Sequence, residues 1–520
     1  MSIPETCTVL VIGGGPAGSY TASVLAREGI DTVLLEADSF PRYHIGESLL
    51  PSVKYFLEFI DAYEKFDNHG FLHKNGATFK FNSRKPGFTD FLAAGGAGNH
   101  AWNVIRSEAD QILFTHAGES GAKVFDKTKV TAVDFEPQHK GLENVTEGST
   151  NGLRRPVSAS WSQKESGASG TIRFKYLVDA SGRAGVVSTK YMKNRQYNQG
   201  LKSIATWGYW ESAAVHGPGE GDPFFEAVDD GSGWAWYIPL HDGTVSVGIT
   251  MKQDRVAAKK KASGATGTRD FYHHILSKET PGIAKLLENA CEISDNLKTA
   301  SDWSYSATEY ASSHLRVAGD AGCFIDPLFS SGVHLAMNSG LSAAITICAS
   351  IRGDCSEETA VSWHSNKVAE GYTRFLLVVT SSLEQIYGRE QNILNDIDEP
   401  GFDNAFDHFK PVIQGTVEVG GRLTKEEVAR SVDFCTKVIA KVEEGGCLST
   451  LALEEDNRGS ELGAAAPAGA SRTDDRVNAA IMKIVRIHRV LDLKNFSADV
   501  INGMAPSMDR GHLGLVTATS

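Results

Sequence analysis

An α/β chain is predicted by three features of this sequence. At the N-terminus a short apolar strand, a glycine-rich turn, a helix and a second strand follow one another. Further on, two strands run into Asp–Gly or Gly–Asp turns. The β-rich segments between them give way to helical periodicity after residue 350. Strands and helices in this alternation build a parallel sheet covered by helices.

The first unit is the best defined. Residues 7–12 are a β-branched, apolar run of the kind a buried parallel strand requires. Gly13-Gly14-Gly15-Pro16-Ala17-Gly18 follows at once, residues 19–28 read as helix, and residues 31–36 form the next strand. In that setting Gly13 permits a tight turn and Gly15 lets backbone approach a pyrophosphate. Gly18 allows close helix–strand packing, and Glu36 would bind a ribose hydroxyl. Ala17 is counted with them at the dinucleotide. No second unit of this kind occurs. Gly217-Pro-Gly219-Glu-Gly221 lacks a preceding buried strand and reads as a loop, so one dinucleotide is expected and no nicotinamide-binding domain.

The later elements fall in order. Arg106 opens a predicted helix, residues 176–179 form a strand running into Asp179-Ala-Ser-Gly182, and residues 316–320 close on Gly319-Asp320. Residues 203–210, 234–240 and 244–251 favour β structure, the last alternating like a half-buried strand. They make up a substrate-facing sheet at about 195–300, interleaved within a discontinuous cofactor domain of residues 1–350. The polar stretches 136–171 and 254–268 read as surface insertions, the second carrying Lys259-Lys-Lys261 as a solvated loop. Residues 351–520 are expected as a helical C-terminal domain. It holds a capping box at Thr424-Lys-Glu-Glu427, a flexible linker at 455–476, and a final helix and tail from 477 to 520.

Composition narrows the function. A length of 520 residues allows about three to four lobes. A net charge of −13 disfavours nucleic acid or an anionic membrane as partner. The 7 cysteines are scattered without metal-ligand spacing, so neither a disulfide framework nor a metal site is expected. No apolar run is expected to reach membrane-spanning length, and with a strand predicted so close to the start no signal peptide is expected. A cytoplasmic enzyme is the expectation.

One turn carries chemistry. Residues 324–332 read Phe-Ile-Asp-Pro-Leu-Phe-Ser-Ser-Gly, a turn of small residues before a helix. Free N–H groups at such a helix start can hold an anion. If the dinucleotide read above is an oxygen-activating flavin, an anion beside it would be a halide.

The order of these blocks resembles the glutathione-reductase-like FAD-binding fold, and over nearly its whole length the chain resembles the flavin-dependent halogenases. Within them it is similar to the free-standing fungal enzymes acting on phenolic polyketides. Pro41-Arg-Tyr-His-Ile-Gly-Glu-Ser48 is shared with geranylgeranyl reductases. Trp234-Ala-Trp236-Tyr-Ile-Pro239 is the WxWxIP signature, residues 324–332 match FxxPxxSxG, and Lys74-Asn-Gly-Ala77 places a lysine where this group has one. The resemblance implies FAD, supplied reduced by a separate flavin reductase, held by Gly13, Gly15, Ala17, Gly18, Glu36, Arg42, Ser48, Arg106, Asp320 and Gly332. It implies chloride held by Ser331 and Gly332, hypochlorous acid formed at the flavin, and Lys74 delivering the halogen as catalytic residue. Trp234 and Trp236, otherwise ordinary core aromatics, would wall organic substrate away from the flavin.

One departure bears on substrate. Tryptophan halogenases carry a glutamate at the position of Phe329, where it assists proton removal from a weakly activated ring. Phe329 cannot take a proton, which points to an electron-rich phenol as the small-molecule substrate. The alternatives are an FAD-dependent aromatic hydroxylase, a reductase of isoprenoid double bonds and a flavin-holding scaffold without turnover.

Overall fold

A computed structural model describes residues 2–81, 86–137, 153–217, 219–387 and 499–518. The capping box at Thr424 and the linker at 455–476 lie outside the described residues.

The α/β class is confirmed, and the first unit forms as the sequence predicts. Strand β1 (Val9–Ile12), helix α1 (Pro16–Arg27) and strand β2 (Thr32–Leu35) are consecutive, with both strands fully buried. They belong to a six-stranded sheet in which β1 pairs in parallel with both β2 and Tyr176–Asp179. Side chains alternate across a strand, so successive residues serve opposite cores. Val9 and Val11 pack beneath α1 and helix Gly332–Arg352. Leu10 and Ile12 pack on the other face against Val130, Ala159 and Ile172.

Ala159 lies in the Gly- and Ser-rich stretch 136–171, expected as a surface insertion, whose described part contains strand Pro156–Ser162. That strand joins Lys129–Phe135 and Ser169–Arg173 in a three-stranded antiparallel sheet. Val130 and Val133 of the first strand, Pro156 and Ala159 of the second and Ile172 of the third are buried, so one or two residues per strand are enough.

The second large sheet has eight strands. Most of its strands lie in residues 195–307: Arg195–Glu211, Phe224–Ala227, Gly233–Pro239, Val245–Lys252 and Lys298–Ala307. Gly76–Lys80 and Gly87–Asp90 extend it from earlier in the chain. Trp234, Trp236 and Ile238 share a core with Tyr372 and Phe375 of helix Glu357–Tyr387. Ala235 and Tyr237 point the other way, against Tyr272 and Ile275 of helix Thr268–Glu279. That helix covers the apolar face of Val245–Lys252, made by Val245, Val247, Ile249 and Met251. Ser246, Gly248 and Thr250 are buried on the face they share with Trp234 and Trp236. The strand is therefore buried on both faces except at its last residue, where a half-buried strand was expected. The loop expected at 254–268 begins instead as helix Gln253–Ala262, with Lys259 paired to Asp230 and Glu279.

Two further corrections concern the C-terminal half. Helix Gly332–Arg352 is long and apolar enough, by length and composition alone, to cross a membrane, contrary to the expectation that no run approaches this; it is a buried core helix packed on α1. The described end of the tail is also not helical. Met504–Ser507 and Gly514–Thr517 form a hairpin whose Leu513 and Leu515 join the core under that helix. Gly503, Pro506, Gly511 and Gly514 punctuate this stretch too often for a helix.

Candidate active site

A cavity of about 480 Å³ runs between the two sheets. Its walls bring together residues far apart in sequence: Gly13, Gly15, Ala17, Glu36, Arg42 and Ser48 from the first fifty, with Arg106, Trp234, Trp236, Asp320 and Gly332. Of the expected site residues, Gly18, Lys74 and Ser331 lie behind this surface.

One end is built to receive a dinucleotide. Gly13 has φ +101°, a left-handed conformation that needs glycine. Helix α1 starts at Gly15 with no side-chain cap, so its first N–H groups remain for a phosphate. Glu36, nearly buried, accepts from Gly14 N at 2.6 Å and Asp38 N at 2.8 Å, which fixes its carboxylate at the cavity edge. Arg42 donates to Asp110 at 2.9 Å and lies 3.7 Å from Glu36. Arg106 donates to both Asp110 oxygens and to Ile45 O at 2.9 Å. Burial alone would raise the Asp110 carboxyl, yet Arg106 and then Arg42 hold it below the usual range. Burial pushes Asp320 up to about 6 against the pull of Arg106, Arg183 and Arg195. The uncapped helix start, the anchored carboxylate and the two fixed guanidiniums fit FAD.

The opposite wall is aromatic. The Trp234 and Trp236 rings lie 5.7 Å apart, with Phe225 beside the first and Trp207 beside the second. Between the walls sits the turn at 326–332. Asp326 accepts from Leu328 N at 3.1 Å, and burial pushes its carboxyl up. Ser330 is left-handed (φ 57°, ψ 30°) and Ser331 right-handed (φ −81°, ψ −12°). That alternation turns successive N–H groups toward one side, as in an anion-binding nest. Ser331 Oγ is fully buried without a hydrogen-bond partner, and Gly332 opens helix Gly332–Arg352 at the cavity.

Lys74 ends a short strand, Leu72–Lys74, paired with Ala101–Asn103. Its side chain is 2 % exposed, with Nζ donating to Ser48 Oγ and Leu49 O, each at 2.9 Å, and the Phe91 ring 5.2 Å away. Ser48 therefore stands between the amine and the cavity. Burial lowers the Lys74 pKa to about 7, with Asp222 opposing the shift.

Two companions escaped the sequence reading. Asp222 is fully buried and accepts from Asn75 N at 2.9 Å, Gly76 N at 3.0 Å and Gly219 N at 2.9 Å, so it clamps the backbone that follows Lys74. Asp222→Asn should destabilise the fold by about 1–3 kcal/mol, since an amide NH₂ would face a buried backbone donor. Urea unfolding checks this, and an unchanged midpoint would contradict the clamp. The second companion is Glu47, inside the motif at 41–48. It accepts from Tyr209 at 2.6 Å, Tyr209 meets Tyr43 at 2.9 Å, and the Trp207 N–H donates to Tyr43 at 2.7 Å. Burial raises the Glu47 carboxyl. Its position beside Ser48 was the available signal.

Residues 6–370 match the FAD binding domain family. The sulochrin halogenase of Aspergillus terreus is 51% identical over 525 residues, spanning 100% of this chain and 94% of that one. A flavin-dependent halogenase of Acremonium egyptiacum is 50% identical over 526 residues, 99% of this chain and 93% of that one. The chain belongs to the flavin-dependent halogenases. Among solved structures, the myxobacterial chondrochloren halogenase superposes on this halogenase with a TM-score of 0.65 at 28% identity, over 79% of this chain and 90% of that one. Membership makes this halogenase an FAD-dependent oxidoreductase.

Proposed function

We propose that this halogenase chlorinates an electron-rich phenolic ring of polyketide origin, with Lys74 delivering the halogen. The observation that carries the reading is the buried amine of Lys74, lowered to about 7 and hydrogen-bonded to Ser48 at the cavity wall. When bound reduced, FAD with oxygen supplies the oxidising equivalent that converts chloride to hypochlorous acid. The chain's own groups do the rest. The α1 start, Glu36, Arg42 and Arg106 hold the dinucleotide, and the N–H groups of Ser331 and Gly332 hold chloride. Trp234 and Trp236 keep organic substrate from the flavin end. A Lys74 amine that is partly neutral near pH 7 can hydrogen-bond hypochlorous acid or take up its chlorine. The name sulochrin halogenase, borne by a relative, supports a polyketide-derived acceptor. We place the enzyme in the cytoplasm beside a separate reductase that supplies reduced FAD.

The test is to incubate the protein with FAD, a flavin reductase, NADH, oxygen, chloride and a panel of phenols and resorcylic lactones. Mass spectrometry should show the chlorine isotope doublet. Hydroxylated product without chlorine would make the protein an aromatic monooxygenase.

Phe329 is buried against Phe79, with ring centroids 5.6 Å apart. Phe329→Glu should not by itself give tryptophan chlorination, because it places an unpaired carboxylate in an apolar core without reshaping the pocket. Chlorotryptophan from that single variant would refute the prediction.

A further inference from the structure

Two groups of histidines and carboxylates converge outside the cavity, though no metal-ligand spacing is visible in the sequence: Asp67, His73 and His100, and His69, Glu108 and His241. Their ring geometry separates them. His73 and His100 are stacked, with centroids 3.9 Å apart and planes 19° from parallel. Their in-plane lone pairs run side by side, so an ion in the plane of one ring lies well outside the plane of the other. The rings of His69 and His241 are 5.7 Å apart and cross at 65°, which lets both lone pairs meet at one point.

We propose that His69, Glu108 and His241 bind one divalent transition-metal ion, with zinc the best match. The two Nε2 atoms lie 2.7 and 3.1 Å from Glu108 Oε2, and the three ligand atoms fall within 4.8 Å of one another. Zinc with bonds of about 2.1 Å needs tetrahedral ligand atoms about 3.4 Å apart, so a small outward turn of each side chain admits the ion. Two imidazoles and a carboxylate are a donor set that zinc accepts. Phe71 packs against both rings, at 4.4 and 5.2 Å, and limits their rotation. The side chains are 33, 36 and 19% exposed, which leaves the fourth position to water.

The three ligands come from separate parts of the fold. His69 follows the short helix Tyr63–Asp67, Glu108 lies in the first turn of helix Arg106–Glu119, and His241 sits in the turn after Gly233–Pro239. A bound ion therefore ties the end of the tryptophan strand to the helix whose first residue, Arg106, lines the cavity.

The experiment uses the full-length, FAD-loaded protein, stripped of metal by a chelator and then titrated with zinc chloride. The expected result is one zinc retained per chain after dialysis, with a melting temperature that rises with zinc concentration. His241→Ala and Glu108→Gln should each weaken zinc by at least about tenfold. His73→Ala should bind as wild type does. FAD absorbance and circular dichroism of each variant establish that it is folded. No retained zinc in the wild type, unchanged affinity in a folded His241→Ala protein, or loss of zinc in His73→Ala would each overturn the proposal.

Discussion

Lys74→Ala is expected to abolish aryl chlorination while flavin binding stays near the wild-type level. Lys74 does not line the flavin cavity; its amine reaches Ser48 and Leu49 from behind the wall. Its removal therefore spares the dinucleotide contacts and takes away the group assigned to halogen delivery. Chlorination of the best phenol substrate at the wild-type rate would refute that role. The same group predicts two pH effects. With its pKa lowered to about 7 by burial, the neutral amine grows in as pH rises through 7, and chlorination by an excess of chemically reduced FAD should rise with it. Stability follows the same titration. The unfolded chain keeps Lys74 protonated up to its ordinary pKa of 10.5, whereas the folded chain loses that proton near 7. Between these values the unfolded state binds more protons, so unfolding free energy should increase with pH. A Lys74→Met protein lacks this contribution. Wild type should therefore gain stability relative to Lys74→Met between about pH 7 and 10, and a constant difference would show that the amine is not desolvated.

What the sequence disclosed was local in origin. The β1–α1–β2 unit is legible because its signals, an apolar run, glycines at fixed spacing and a terminal acid, all lie within thirty residues. The turn at 326–332 is legible for the same reason. Asp222 was not, because it meets the backbone after Lys74 only through the pairing of Gly76–Lys80 with Phe224–Ala227, nearly 150 residues away. The helix at Gln253–Ala262 has no buried residue and hence no apolar stripe; pairing of Lys259 with Asp230 and Glu279 anchors it. Val245–Lys252 alternates in sequence, and helix Thr268–Glu279 covers its apolar face. Its polar face is buried too, on the side of Trp207 and Trp236, and periodicity does not report a covering element. His69, Glu108 and His241 likewise meet only in the folded chain.

Gly18→Ala should have the other large effect, loss of FAD binding together with a less stable fold. A Cβ on Gly18 would lie 1.8 Å from Gly13 O, deep inside van der Waals contact, and 3.2 Å from the Ala180 Cβ. The carbonyl cannot simply give way, because Gly13 is itself pressed against Ala180, where an added Cβ would come within 2.3 Å of the carbonyl oxygen. Backbone must move on α1 or on the glycine turn, and either motion displaces the N–H groups aimed at the phosphates. Overpacking of this kind costs about 1–3 kcal/mol, read as a lower urea midpoint. Gly332→Ala supplies the contrast. Nothing lies within 4 Å of the Cβ it would add, so the fold should tolerate it, and a loss of chlorination with FAD binding retained would report on the chloride proposed at that helix start. If Gly18→Ala bound FAD as the wild type does, the first turn of α1 would not be what seats the pyrophosphate, and the arginines at 42 and 106 would have to do so alone.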